Sequence, residues 1–283
     1  MFVYAVTNHK GGVGKTTTTA TLGAAFARAG RRVLLLDLDP QASLTAAVGA
    51  FAAELTAEDV LEAPWTLQQA AVPCASGMRV VPARATLAIK LHEVMQTQGS
   101  SARIMLALDS VENSYDTVLI DCPSAIGAAM TNALTAADVA LVPFQCDFLS
   151  LRGLADIQAI CSTIVQTTNP NLKVRAFGNM YDRRTTHAWD VLSEARGALG
   201  VRMLATLVPR SVRLAEAPAT GKTVLDYAPR SRGAEAYQSL ARELMDEERN
   251  YGTTRRHPGS DAQTALKLDR GGNARTSLAG CGS

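Results

Sequence analysis

Apolar residues come along this chain in two rhythms. Short unbroken runs lie at residues 3–7, 33–36, 118–120, 139–142 and 204–208, and longer stretches with an apolar position every three or four residues separate them. A run that is apolar at every position, rather than at alternate ones, suits a strand covered by helices on both sides. The alternation therefore predicts βαβ units: an α/β chain with a mostly parallel twisted sheet and helices on both faces. Residues 16–29 place Leu22, Ala25, Phe26 and Ala29 at helical spacing and end before Gly30, where a C-terminal cap belongs. That stretch predicts the first crossover helix. Further helices are expected over 56–62, 84–97, 101–112, 127–136, 150–166, 186–199 and 233–248.

The apolar rhythm stops near Asn250. Beyond it come Gly-Thr-Thr-Arg-Arg-His-Pro-Gly-Ser and a Gly/Ser/Thr/Arg mixture, which reads as a flexible basic tail. The expected organisation is one domain over 1–248 and a tail over 249–283. At 283 residues the chain is nearly twice the usual ~150 per domain, yet α/β chains of this length form single units. Its 47% hydrophobic and 19% charged residues exclude wholesale disorder and a fibrous protein. No run approaches the ~20 apolar residues that cross a bilayer, and the first residues lead into a strand without the start of a secretory signal. A cytoplasmic protein with no membrane partner is expected.

Five cysteines, Cys74, Cys122, Cys146, Cys161 and Cys281, include no C-x-x-C pair and no zinc-ligand spacing with histidine. Cys122 reads as a small buried hydrophobe. His92, His187 and His257 lack partners at recognisable spacing and read as surface or helix-packing residues. The formal charge of +2 is uneven: residues 1–150 carry nine Lys/Arg against thirteen Asp/Glu, and residues 249–283 carry six against two. Within 175–232 there are ten Lys/Arg against five Asp/Glu, enough for a modest positive field if they share a surface.

Between the first apolar run and the first predicted helix lies His9-Lys10-Gly11-Gly12-Val13-Gly14-Lys15-Thr16-Thr17. Strand, glycine-rich turn and helix, in that order, are what a phosphate loop needs. Closely spaced glycines let successive N–H groups converge on phosphate oxygens, and the helix presents its positive N-terminus. Lys15 adds a charge, and the Thr16 hydroxyl can take Mg²⁺. A tight turn with a solvated lysine is the bland alternative; the Gly-Lys-Thr ending and both flanks argue against it.

The ordinary pattern G-x-x-x-x-G-K-[ST] asks for glycine at position 9, where this chain has His9 followed by Lys10. A second lysine there repels Lys15 unless anionic phosphate lies between them. The resulting K-G-G-V-G-K-T-T resembles the deviant Walker motif of the ParA/MinD group of ATPases. The resemblance implies the P-loop NTPase fold, ATP and Mg²⁺ as cofactors, and an ATP-bound homodimer. In that dimer Lys10 reaches the partner subunit's ATP while Lys15 serves its own.

Leu36-Asp37-Leu38-Asp39-Pro40 ends a predicted strand, at the edge where ligands of parallel sheets bind. A carboxylate there can hold a metal-bound water or position a nucleophile. The resemblance gives that role, and contact with the Mg²⁺ region, to Asp39. A helix N-cap or turn aspartate is the bland alternative for Asp37 alone. Val118-Leu119-Ile120-Asp121 is another apolar strand ending in aspartate, which with the phosphate loop makes Asp121 an outer-shell Mg²⁺ ligand. The family usually continues Asp-x-Pro-Pro, whereas this chain has Ser124 after Pro123.

Similarity to the family extends through 132–138 (NALTAAD), 142–146 (VPFQC), 180–185 (MYDRRT), 208–218 (VPRSVRLAEAP) and 227–237 (YAPRSRGAEAY). These blocks resemble the chromosomal, Soj-like subgroup; MinD carries a terminal membrane helix that has no counterpart here. The loop begins within ten residues of Met1, leaving no room for the helix-turn-helix of larger plasmid relatives, so operator binding is not expected. What the resemblance implies instead is ATP-dependent, sequence-independent binding of double-stranded DNA through Arg184 and Arg213, and a nucleoid-associated location. Arginine suits this because its planar fork makes paired hydrogen bonds to phosphate. It also implies adenine contacts at Asn179 and Pro209, and a ParB-like adaptor, with a basic N-terminal peptide, that stimulates hydrolysis. A slow intrinsic rate is expected, since no arginine finger is evident. Rival readings are a dethiobiotin-synthetase-like metabolic enzyme and a scaffold that hardly hydrolyses ATP. The cargo, whether chromosome, plasmid, carboxysome or receptor cluster, stays open.

Overall fold

The computed structural model describes residues 1–50, 53–97 and 99–251. Seven strands form one sheet: β1 (Phe2–Val6), β2 (Val33–Asp37), β3 (Val72–Pro73), β4 (Arg79–Val81), β5 (Thr117–Asp121), β6 (Val139–Gln145) and β7 (Lys173–Asn179). Their order is β3-β4-β2-β5-β1-β6-β7, and every pairing is parallel except β3 with β4. The α/β expectation of a mostly parallel sheet holds. Helices are α1 (Lys15–Arg28), α2 (Ser43–Ala47), α3 (Ala57–Glu62), α4 (Leu67–Ala70), α5 (Leu87–Met95), α6 (Arg103–Asp109), α7 (Ala128–Ala136), α8 (Phe148–Thr167), α9 (Thr186–Leu199), α10 (Val212–Glu216), α11 (Val224–Tyr227) and α12 (Arg232–Tyr251).

The unbroken apolar runs divide by parity between two cores. Val3, Ala5, Leu34, Leu36, Val118 and Ile120 face one side, beneath α3 to α9. Tyr4, Val6, Val33, Leu35 and Leu119 face the other, beneath α1, α11 and α12. Successive strand residues point to opposite faces, so a strand buried on both must be apolar throughout. β1 lies between β5 and β6, and the chain leaves β1 toward β2 on one side before coming back to β6 on the other. A crevice opens at such a reversal, at the carboxyl ends of the strands.

One predicted strand fails. Residues 204–208 form no strand, although they run beside β7 and are held by isolated bridges at Met203 and Pro209. Leu204 and Val208 donate to Ala176 and Gly178, but between them the N–H groups of Ala205 and Thr206 go to the Glu243 carboxylate on α12, at 2.6 and 2.9 Å. That side chain takes the donors a ladder would need. The edge strand beside this segment is β7, which ends at Asn179 and is absent from the apolar runs because Lys173 and Arg175 interrupt it. The two-residue β3 and three-residue β4 were too short to stand out. β6 runs on to Gln145 through Pro143, since β1 pairs with it only as far as Leu141 and no N–H is needed at 143. α12 continues to Tyr251, whose ring stacks on Phe2 at 6.1 Å. His257, Cys281 and the tail from 252 onward lie outside the described residues.

Candidate nucleotide site

The loop between β1 and α1 opens at the sheet reversal. Gly12 and Gly14 have φ of 74° and 88°, in the left-handed region that favours glycine. At Gly14 a Cβ would also stand 2.5 Å from Asn179 Nδ2, so only glycine fits. Asn179, buried at the end of β7, donates to the Val13 carbonyl at 2.7 Å and accepts from Met180 N at 2.9 Å. Gln145, ending β6, donates to the Gly12 carbonyl at 3.1 Å. Asn8 at the loop's start donates to the Pro143 carbonyl at 2.9 Å and accepts from Lys10 N at 3.0 Å. Side chains from three strand ends thus fix the loop's curvature.

Lys15, the first residue of α1, bends back over this loop. Its Nζ donates to the Lys10 carbonyl at 3.3 Å and to Ser124 Oγ at 2.7 Å. Burial lowers its pKa, and Asp121 pulls the other way. Ser124, where the family has proline, is therefore its hydroxyl acceptor. Lys10 is held at the start of α8 instead. Its Nζ meets both carboxylate oxygens of Asp147, at 3.0 and 2.8 Å, and Ser150 Oγ at 3.2 Å. Asp147 also caps α8, accepting from Ser150 N at 2.9 Å. Burial raises the Asp147 carboxyl, yet hydrogen bonds from Lys10 and Ser150 together outweigh it and hold it below its ordinary value. The like-charge conflict foreseen between the lysines is relieved by this carboxylate. Next to it, His9 Nε2 lies 3.4 Å from Asp156, also on α8.

Two carboxylates end adjacent strands, Asp37 on β2 and Asp121 on β5, in register with each other. Asp121 is fully buried and accepts from Thr16 Oγ1 at 2.7 Å and Thr19 Oγ1 at 3.3 Å. Burial and then Asp37 push its pKa well above the carboxylate range. Burial likewise raises Asp37 to about 6, against hydrogen bonds from Thr45 and Asp39 N. Asp37 is thus an anchor for the segment after β2, a role its sequence position did not distinguish from a turn. Asp39 is half-buried and accepts from Gln41 N at 3.0 Å; Ala42 follows in the left-handed region at φ 52°.

A cation fits this donor set. The buried Asp121 carboxylate acts on the Lys15 ammonium, and the Thr16 hydroxyl donates to that carboxylate. No cluster of three or more His, Cys, Asp or Glu that could hold a metal occurs among the described residues. A metal here would lean on Thr16 and on ligand oxygens, as Mg²⁺ does beside phosphates. Thr17, in the same first turn of α1, makes no side-chain hydrogen bond among those described and lies beside Lys222 and Thr223.

The expected DNA residues lie elsewhere. Arg184 follows β7, is 83% exposed in its side chain and forms a two-point pair with Asp182, at 2.9 and 2.7 Å. Arg213, in α10, pairs with Glu216 at 2.7 Å. Their loops are tied together: Tyr181 N donates to Val208 O at 3.0 Å and Arg210 N to Tyr181 O at 3.1 Å. Pro209 sits on that tie, bridged to Tyr181 rather than ending a strand. His92 is exposed and contacts Gln96; Cys122 is fully buried. No helix among the described residues is long and apolar enough to cross a membrane.

A parallel sheet, a glycine-rich loop at its reversal and a lysine closing over that loop define a P-loop NTPase. Comparison with known proteins narrows the class. The family described as "AAA domain" matches residues 1–174. The sporulation initiation inhibitor protein Soj of Bacillus subtilis is 37% identical over 246 residues, covering 86% of this chain and 97% of that protein. The chromosome partitioning protein ParA of Caulobacter vibrioides is 39% identical over 254 residues, covering 88% and 95%. A crystal structure described as cobyrinic acid a,c-diamide synthase from Mycobacterium smegmatis, with bound ATP analog and magnesium, is 36% identical. It superposes with a TM-score of 0.78 over 91% of this chain and 98% of that one. The chain belongs to the ParA/Soj family of partitioning ATPases.

Proposed function

We propose that the chain hydrolyses ATP as a switch, forming an ATP-loaded homodimer that holds double-stranded DNA without sequence preference. The observation that carries this is the loop itself, whose two lysines are held by different partners, Lys15 by the Lys10 carbonyl and Ser124, Lys10 by Asp147 and Ser150 at the start of α8. Residues 10–17 take the phosphates of ATP, with Lys15 neutralising charge within the protomer. Mg²⁺ would be held by Thr16, with Asp121 and Asp39 behind it, and would supply charge neutralisation between phosphate oxygens. The half-buried Asp39, beside the opening, orients the attacking water.

The second lysine supports the dimer. Lys10 is paired to Asp147, next in the chain to exposed Phe148, and exposed Met180 contacts Gln145 at the loop. Apolar side chains around a polar cleft mark a protein contact. On dimerisation Lys10 leaves Asp147 for the partner's phosphates, exchanging one anion for a more highly charged one. Arg184 and Arg213, on tied loops, contribute phosphate contacts, and pairing two protomers multiplies them. Asn179, engaged with Val13, acts on the nucleotide by shaping the loop, and Pro209 borders the adenine side. A ParB-like adaptor accelerates hydrolysis and release, on the nucleoid in the cytoplasm.

An ATP-dependent synthase is the second reading, and it rests on the name of the mycobacterial structure. One assay separates them: retention of the chain on DNA-coated beads with ATP, ADP or no nucleotide, alongside phosphate release. The proposal expects retention with ATP only, and phosphate release raised by DNA plus adaptor. Nucleotide-independent retention, or none, contradicts it.

A further inference from the structure

A groove of about 490 Å³ lies between α8, the start of β7 and the turn at 200–202, away from the loop. It sits at the opposite end of β7 from Asn179, about 20 Å away by strand rise. Its floor and one wall are apolar, with Val165 from α8 and the 89% exposed Val201 at its mouth. Three cations line it: Lys173, Arg175 and Arg202. Arg175 is paired with Glu247 at 2.7 Å. Arg202 has no ion-pair partner among the described residues, and Lys173 rests only on the face of Tyr251, 3.4 Å from its centroid. Burial and then Arg175 lower the Lys173 pKa, while Asp138 and Glu247 pull the other way. The nearby carboxylates are already engaged: Asp138 accepts from Val3 N at 2.7 Å, and Glu247 also accepts from Tyr251 at 3.0 Å. Gln158, on the α8 wall, has a buried amide nitrogen with no acceptor.

We infer that this groove binds an acidic peptide segment of a partner protein, with a large apolar side chain seated on Val165 and Val201 and carboxylates on Lys173 and Arg202. Charge complementarity names the occupant. The site carries excess positive charge and an amide donor without an acceptor, which a carboxylate satisfies after a small rotation of Gln158. A duplex offers no apolar group for Val165 and Val201, which a peptide side chain would cover. A basic adaptor peptide would be repelled, so the occupant differs from the partner proposed to stimulate hydrolysis.

The test selects random peptides displayed on phage against the full chain with Mg²⁺ and ATP. The strongest binder is then measured as a fluorescein-labelled synthetic peptide, by anisotropy. Net acidic sequences with one or two Leu, Phe or Trp are expected. Affinity should fall roughly tenfold or more in Arg202→Glu, where one charge-assisted contact becomes a repulsion. It should fall less in Lys173→Gln and remain unchanged in Arg213→Glu, while ATP affinity is kept throughout. Arg202 is on an exposed turn, so that variant tests the groove even if Lys173→Gln loosens the packing of Tyr251. A selection that returns no acidic binder, or one indifferent to Arg202→Glu and Lys173→Gln, overturns the inference.

Discussion

Lys10 and Lys15 are five residues apart, yet their ammonium groups are held by different parts of the molecule. The loop pattern marked Lys15 for a phosphate, and the family resemblance gave Lys10 its proposed role across the dimer. Their partners were not legible, because Asp147 and Ser124 lie 137 and 109 residues away, and only the fold brings them near. Asp147 gave a local hint, standing as an N-cap before Ser150. Asp147→Asn keeps an oxygen for that cap but removes the charge that holds Lys10. The variant is expected to form the ATP dimer at several-fold lower protein concentration, read by light scattering; a weaker dimer would mean Asp147 aids assembly. Gly14→Ala adds the left-handed penalty of ~1–2 kcal/mol to a 2.5 Å clash with Asn179. Nucleotide affinity should drop roughly tenfold or more by calorimetry, and unchanged affinity would show that the loop relaxes freely.

At the scale of elements, the central strands were readable because each is buried on both faces and must be apolar throughout. The edges were not. β7 carries Lys173 and Arg175 at its start, where they meet Tyr251 and Glu247 of α12 beside a groove, and the apolar 204–208 segment has its donors captured by a side chain 37 or more residues distant. No local pattern reports such capture. Glu243→Ala leaves Ala205 and Thr206 without their acceptor, which should cost about 1–3 kcal/mol and lower the Tm by several degrees. Since the bridges at Met203 and Pro209 remain, ATP affinity should persist. A Tm equal to wild type would show that water or a continued ladder replaces the carboxylate.

Across the whole molecule, functions separate by position. Phosphate-facing groups gather at the sheet reversal, the paired arginines sit on tied loops after β7, and the cationic groove occupies the far end of that strand. Family and chemistry were legible from one loop and the blocks that follow it; the groove was not, since its cations are spread from 173 to 202 and meet α8 only in the fold. Arg184→Ala with Arg213→Ala should abolish ATP-dependent DNA retention while the dimer still forms, and the salt dependence of any residual binding should flatten. Retention at wild-type level would move the DNA surface elsewhere.

The central claim is that Lys10, released from Asp147, joins two ATP-loaded protomers. Light scattering on wild type and Lys10→Ala, both with ATP, Mg²⁺ and verified nucleotide binding, tests it most directly. The account predicts twice the single-chain mass for wild type and the single-chain mass for the variant. A variant that dimerises like wild type, or a wild-type chain that stays single with ATP bound, would contradict it.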